Sequence, residues 1–224
     1  MTGKQRLYVH PLPIRIWHWI NAVCFLLMVL TGIQIRYVGI VSVVSFRSAV
    51  VLHNWVGFVI IANFFVWLGF YVFSVRIRAY LPETDVMKMY RGSVRQLLYY
   101  GYGIFKGEPS PHHLSIYRKF NPLQSMTYQI VMLFLLPVQA FTGVLLWDLT
   151  RFASVVNFLG GVRVVDTVHV LIFIFTVWYM LVHPYLGTLG RTPGAHYKAM
   201  FTGWEEIPDG EATEKARGSA PGPR

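Results

Sequence analysis

Four long apolar segments constrain this chain more than any other feature of its sequence. Each is long enough, at roughly 20 residues or more, to cross the hydrocarbon core of a bilayer as a helix. With 54% hydrophobic and only 13% charged residues among 224, the chain leaves no room for a large soluble domain between them. We therefore predict an all-α membrane protein, a single domain at 1–204 built as a four-helix bundle. The predicted spans lie at about 16–37, 50–75, 124–148 and 163–187, and a polar, disordered tail is expected at 205–224.

The distribution of Lys and Arg predicts how the helices are oriented. Three of these residues precede the first span, eight separate the second from the third, and five follow the fourth. The other two connections hold two each when the span ends are included. The positive-inside rule therefore places both termini and the long loop 76–121 in the cytoplasm. Because this arrangement accounts for the net charge of +10, we expect no nucleic acid partner.

Two further helices are predicted on the cytoplasmic side. In 85–105, apolar residues recur at helical spacing opposite Lys88, Arg91 and Arg95, which predicts an amphipathic helix on the inner membrane surface. The other begins at Thr192, a cap residue followed by a first-turn proline, and extends to Gly203.

Four histidines lie within the predicted spans and form two levels. His169 and His183 are fourteen positions apart in the fourth span, so they share one helix face about 21 Å apart. His18 is near the start of the first span, and His53 is near the start of the second. Given the predicted orientation, His18 and His183 fall on the cytoplasmic side, whereas His53 and His169 fall on the outer side. Two pairs of ligands at two depths are what two stacked b-type haems require.

Other roles for these histidines remain open at this point. Any one of them could form a helix-packing hydrogen bond or lie at the interface, but matched depths favour ligands, because polar groups within a membrane are costly. A zinc site is disfavoured because each level offers two His and no Cys or carboxylate. Haem must be non-covalent, since Cys24 is the only cysteine.

Gly32, on the face of His18 at the outer level, either leaves room for a porphyrin or lets helices pack closely. Gly57 and Gly143 allow the same two interpretations.

Several motifs together resemble a known family, the di-haem cytochrome b subunits of nickel-iron hydrogenases, respiratory formate dehydrogenases and thiosulfate reductases. They are PLPIRIWHWINA at 11–22, KFNPLQ at 119–124, the His169 to His183 spacing, and GRTPGAHYKAMFTGWEE at 190–206. The resemblance implies that His18 and His183 ligate one haem b and that His53 and His169 ligate the other. It also implies a multi-pass protein of the bacterial inner membrane, and a subunit of an oxidoreductase complex rather than a stand-alone enzyme.

The same resemblance implies the partners. Such a subunit transfers electrons between a periplasmic oxidoreductase, through an iron-sulfur or multihaem subunit, and membrane menaquinone or ubiquinone. A quinone site is expected near the cytoplasmic haem, where Asn121 and Gln124 are the matching positions. Local chemistry alone favours Asn121 as a helix N-cap before Pro122. The apolar outer loops, 38–49 and 149–162, are expected either to dock the periplasmic partner or to lie buried in lipid headgroups.

Two functions of other classes stay open. A free-standing b-type cytochrome could act as a superoxide oxidase or a ferric reductase without a dedicated partner. A haem-free transporter could use the histidines as proton relays, but it would show broken helices in repeat-related positions. Only Pro137 with Gln139 looks like such a break, and the two halves show no convincing repeat. The partner's substrate and the direction of electron flow are not encoded in these motifs.

Overall fold

The computed structural model describes residues 4–73, 85–111, 120–189 and 194–208. Four helical spans in it are long and apolar enough to cross a membrane, which confirms the four predicted segments. Each begins slightly before its predicted start, because its first turn contains proline or polar residues that hydropathy excludes. The spans are α1 (Leu12–Arg36), α2 (Phe46–Phe73), a third span (Pro122–Trp147) and α7 (Val162–Thr188).

The third span is continuous but not uniformly α-helical. It consists of α4 (Pro122–Ile130), a π-helical turn at Val131–Leu135, and α5 (Leu136–Trp147). Pro137 follows this turn, and proline has no N–H with which to complete an α-helical hydrogen bond. A π-helical turn inserts one extra residue and therefore rotates every residue that follows it about the helix axis.

The spans pack as two helix pairs, α1 with α2 and α5 with α7, joined mainly by a cluster between α1, α2 and the third span. This cluster consists of Cys24, Val56, Ile60, Trp67, Met132 and Leu136. Along α7, Leu171, Trp178 and Leu181 are more than half exposed. Large apolar side chains exposed along a whole span form a lipid-facing surface rather than one that contacts water.

A two-stranded sheet joins the two ends of the chain, and it corrects two predictions. β1 (Lys4–Tyr8) pairs antiparallel with β2 (Trp204–Pro208), with Tyr8 opposite Trp204 and Arg6 opposite Glu206. The protein is therefore not purely α-helical, and the expected disordered tail is wrong for residues 205–208. The acidic residues that suggested a solvated tail lie instead in a strand opposite a basic one. Residues 209–224 lie outside the described part of the chain.

This sheet places residues 4–8 and 204–208 together at one end of the bundle, which we call the terminal end; the opposite end is the distal end. α1 and α7 reach the terminal end at Leu12 and Thr188 respectively. The distal end carries the connection between α1 and α2 and the short helix α6 (Ala153–Phe158).

The predicted amphipathic helix is present as α3 (Val86–Gly101), capped by Asp85 and packed on α4. Its position on the membrane surface stays a prediction, and 76–84 and 112–119 of the same loop lie outside the described residues. The helix predicted at 192–203 is α8 (Ala195–Thr202). Thr192 and Pro193, on which that prediction rested, are likewise not described, and Gly194 with φ 85° precedes the helix.

Candidate functional site

The four intramembrane histidines come together as two pairs. The ring centroids of His18 and His183 are 6.2 Å apart, and those of His53 and His169 are 6.5 Å apart. We call His18 and His183 the terminal pair, because they lie near the terminal ends of α1 and α7. His53 and His169, near the distal ends of α2 and α7, are the distal pair. The structure therefore brings together the residues that were predicted to pair.

The ring separations fit a metal ion held between two imidazoles. Metal–imidazole bonds of about 2 Å, with each ring nitrogen roughly 1 Å from its centroid, separate two ligating rings by about 6 Å. Both observed separations are close to this value. The residues present therefore fit a haem iron with one histidine on each side, at both levels.

Threonine hydroxyls orient both rings of the distal pair. The Thr31 Oγ1 atom lies 2.8 Å from His53 Nδ1, and the Thr142 Oγ1 atom lies 3.0 Å from His169 Nδ1. Each hydroxyl donates its single proton to a backbone carbonyl one turn earlier, Thr31 to Leu27 at 2.7 Å and Thr142 to Val138 at 2.9 Å. With the hydroxyl proton donated to the carbonyl, each hydroxyl oxygen can accept from an imidazole Nδ1–H. This tautomer leaves the Nε2 lone pair available, as metal binding requires.

Gln139 provides a second indication of the same tautomer. Its side-chain amide Nε2 donates to His169 Nε2 at 3.1 Å, which requires an unprotonated ring nitrogen. Its amide oxygen is buried and has no hydrogen-bond partner among the described residues. Iron would bind through the same lone pair of His169, so Gln139 would have to give up this hydrogen bond and move aside when the distal site is occupied.

A glycine follows each of these threonines and lies against the same histidine. A Cβ atom on Gly143 would lie 3.2 Å from His169 Cε1, and one on Gly32 would lie 3.5 Å from His53 Cε1. Gly32 is thus at the level of the distal pair, as predicted, and it also faces Phe173. A Cβ on Gly57 would only make an ordinary contact with Met28.

These contacts form a local repeat that the sequence analysis missed. A Thr-Gly dipeptide in the first helix of each helix pair contacts the histidine in the second helix. The repeated dipeptide was visible at 31–32 and 142–143. Its meaning depends on which neighbouring helix it faces, which no local pattern reveals.

The terminal pair lacks this arrangement. The Nδ1 atom of His18 is buried without a hydrogen-bond partner among the described residues. The Nδ1 atom of His183 lies 3.4 Å from the Tyr179 hydroxyl, a long contact, and the two rings stack. Trp19 meets the His18 ring edge-on and donates from Nε1 to the Met200 carbonyl of α8 at 3.3 Å. α8 therefore packs close beside the terminal pair.

Asn121 and Gln124 form a reciprocal cap at the start of α4. Asn121 Oδ1 accepts from the Gln124 backbone N–H at 2.8 Å, and Gln124 Oε1 accepts from the Asn121 backbone N–H at 3.1 Å. The N-cap interpretation of Asn121 is therefore confirmed, whereas the quinone role of both residues stays a prediction. Asn121 Nδ2 also donates to the Tyr100 hydroxyl of α3 at 3.1 Å. Burial raises the pKa of Tyr100, and hydrogen bonds from Gln96 and Asn121 oppose that shift.

Comparisons with known proteins identify the family of this chain. Residues 9–203 match the family model of the prokaryotic cytochrome b561 proteins. A similar curated protein is the putative cytochrome YdhU of Escherichia coli strain K12, which is 32% identical over 204 residues. That alignment covers 89% of this chain and 75% of YdhU. The chain therefore belongs to the prokaryotic cytochrome b561 family, whose members are membrane b-type cytochromes of electron transport.

Proposed function

We propose that the chain is the membrane-embedded di-haem cytochrome b subunit of a respiratory complex, transferring electrons between a periplasmic oxidoreductase and the quinone pool. The observation that carries this proposal is the presence of two histidine pairs, with rings 6.2 and 6.5 Å apart, at the two ends of one bundle. His18 and His183 would hold one haem b, and His53 and His169 would hold the other. When bound, haem supplies one-electron exchange between ferrous and ferric iron.

The chain's own contribution is to position, orient and enclose these two sites. His169 and His183 share α7, so their levels are about 21 Å apart along a single rigid helix. With both termini cytoplasmic, as the Lys and Arg distribution predicts, the terminal pair faces the cytoplasm and the distal pair faces the periplasm. The β1–β2 sheet supports an even number of crossings, because it holds the strand before the first span and the strand after the last span at one end of the bundle.

A quinone site fits best at the terminal end, where α3 packs on α4. Ser93, Gln96 and Asn121 are buried there, which is unusual for polar side chains at the edge of an apolar bundle. Asn121 uses both side-chain amide atoms within the protein, one in the cap and one on Tyr100. We therefore assign it a positioning role. Gln124 and the Tyr100 hydroxyl are the groups nearest to it that would contact a quinone carbonyl.

The periplasmic partner would dock at the distal end through its iron-sulfur or multihaem subunit. Val38, Ile40 and Val43 precede α2, Phe158 ends α6, and all four side chains are strongly exposed. They lie at the same end of the bundle as the distal pair. Lipid headgroups are the alternative surroundings for this surface, and charged substitutions distinguish the two. Ile40→Asp with Phe158→Asp would release a docked partner while leaving haem content unchanged.

The test of the proposal is a reduced-minus-oxidised visible spectrum of the purified protein, with haem quantified per chain. We expect two low-spin b haems in the wild type, one lost in His53→Ala and the other in His183→Ala. A colourless wild-type protein would refute the proposal. Recovery of a stable complex after mild solubilisation supports the subunit role, whereas an isolated chain that oxidises superoxide or reduces ferric ions supports a free-standing cytochrome.

A further inference from the structure

We infer that Thr31 and Thr142 are positioning residues that set the redox potential of the distal site below that of the terminal site. The inference rests on the proposed function, because it requires a haem at each histidine pair. It adds to that function a direction, from the distal end towards the terminal end.

The first step is the direction of the two hydrogen bonds. Thr31 Oγ1 lies 2.7 Å from the Leu27 carbonyl oxygen, and Thr142 Oγ1 lies 2.9 Å from that of Val138. A hydroxyl has one proton, and here the helix backbone takes it. Towards each histidine the hydroxyl oxygen can act only as an acceptor. A neutral imidazole that binds iron through Nε2 carries its proton on Nδ1, so both distal imidazoles would donate from Nδ1 to the hydroxyls, at 2.8 and 3.0 Å.

The second step is the effect of such a bond on a metal ligand. An imidazole that donates its Nδ1–H to an acceptor becomes a stronger electron donor through Nε2. A more donating ligand favours ferric over ferrous iron and so lowers the midpoint potential. Each of the two distal rings donates to a hydroxyl acceptor. Both hydrogen bonds therefore lower the midpoint potential of the same site.

The third step is the contrast with the terminal pair. His18 Nδ1 has no partner among the described residues, and the Tyr179 hydroxyl is 3.4 Å from His183 Nδ1. The terminal imidazoles therefore donate less strongly. Electron transfer from the distal to the terminal level is then favourable, which offsets part of the work of moving an electron against the potential of an energised membrane.

The experiment is a redox titration of purified holoprotein with substitutions that change only the hydroxyl. Thr31→Val and Thr142→Val preserve side-chain shape but remove the acceptor, whereas Thr31→Ser and Thr142→Ser keep it. Thr176→Val is the matched control, because Thr176 on α7 also donates to the carbonyl one turn earlier, that of Ile172 at 2.9 Å. We expect each Thr→Val variant at 31 or 142 to raise the lower midpoint potential, and the double variant to raise it further. The serine variants and Thr176→Val should match the wild type.

The ferric low-spin electron paramagnetic resonance signal gives a second readout. The g values of the distal haem should change in the valine variants and return in the serine variants. Unchanged potentials and g values in valine variants that retain both haems would overturn the inference.

The wild type provides a check that does not depend on the threonine variants. The midpoint potential that disappears in His53→Ala should be the lower of the two, and disappearance of the higher one would overturn the inference. Two haems with this order reversed refute the inference while leaving the proposed function intact. A wild type without haem refutes both.

Discussion

Replacing Gly143 by alanine tests whether the distal histidine depends on close approach to the α5 backbone. The new Cβ would lie 3.2 Å from His169 Cε1, whereas ordinary contacts begin at 3.4 Å. The His169 ring must therefore give way by a few tenths of an ångström. Overpacking of this kind costs about 1–3 kcal/mol. The general gain from replacing a helical glycine by alanine is about 1 kcal/mol. We expect Gly143→Ala to lower the free energy of unfolding by up to about 2 kcal/mol.

Gly69→Ala in α2 is the matched control, since a Cβ there meets nothing within 4 Å. Gly69→Ala should gain helix stability without the cost of overpacking. The free energies of unfolding of the two variants should therefore differ by about 1–3 kcal/mol. Thermal unfolding in detergent would detect this difference, because each kcal/mol corresponds to about 2–4 °C in a chain of this size. The visible spectrum should also show weakened distal haem binding in Gly143→Ala alone. Equal Tm values and equal spectra for the two variants would refute the reasoning.

Three further predictions concern the terminal end. Asn121→Ala removes the α4 cap and the hydrogen-bond donor to Tyr100, so it should lower the free energy of unfolding by about 1–2 kcal/mol in denaturant titrations. An unchanged denaturation midpoint would contradict a stabilising role for this cap. Because burial raises the Tyr100 pKa above its usual value of 10.0, folding favours the protonated phenol. The free energy of unfolding should therefore fall as pH rises above about 10. The free energy of unfolding of Tyr100→Phe should fall less steeply in the same pH series. Gly203 has φ 90°, and a Cβ there would lie 2.8 Å from the His10 carbonyl oxygen. Gly203→Ala should therefore speed limited proteolysis of strand β2. Gly101→Ala is the control and should not, because a Cβ at Gly101 meets nothing within 4 Å.

The spans and the histidine pairs were predictable because both depend on properties that act along one helix. Hydropathy and the helical rise determine which residues lie in the membrane and at what depth. With these alone, His18 could be matched to His183, and His53 to His169. The positions of the pairs agree with the structure, and their ligation stays a prediction.

Thr31, Thr142 and Gln139 were not predicted, for two physical reasons. A threonine in an apolar helix satisfies its own hydroxyl on the preceding turn, so its sequence context indicates nothing about a neighbouring helix. Gln139 follows a π-helical turn, which rotates α5 away from the face that a uniform 3.6-residue period assigns. The β1–β2 sheet was not predicted, because its two strands are far apart in the sequence, whereas strand patterns are recognised from neighbouring residues.

That sheet also has a consequence for how the protein is made. β1 precedes all four spans in the chain and β2 follows them, so the two strands can pair only after all four spans have been synthesised. If one span failed to cross, β1 and β2 would lie on opposite sides of the membrane and could not pair. A chain with an odd number of crossings would carry two unpaired strands, whose exposed edges promote aggregation. The paired sheet therefore distinguishes a chain with an even number of crossings from one in which a single span has been missed.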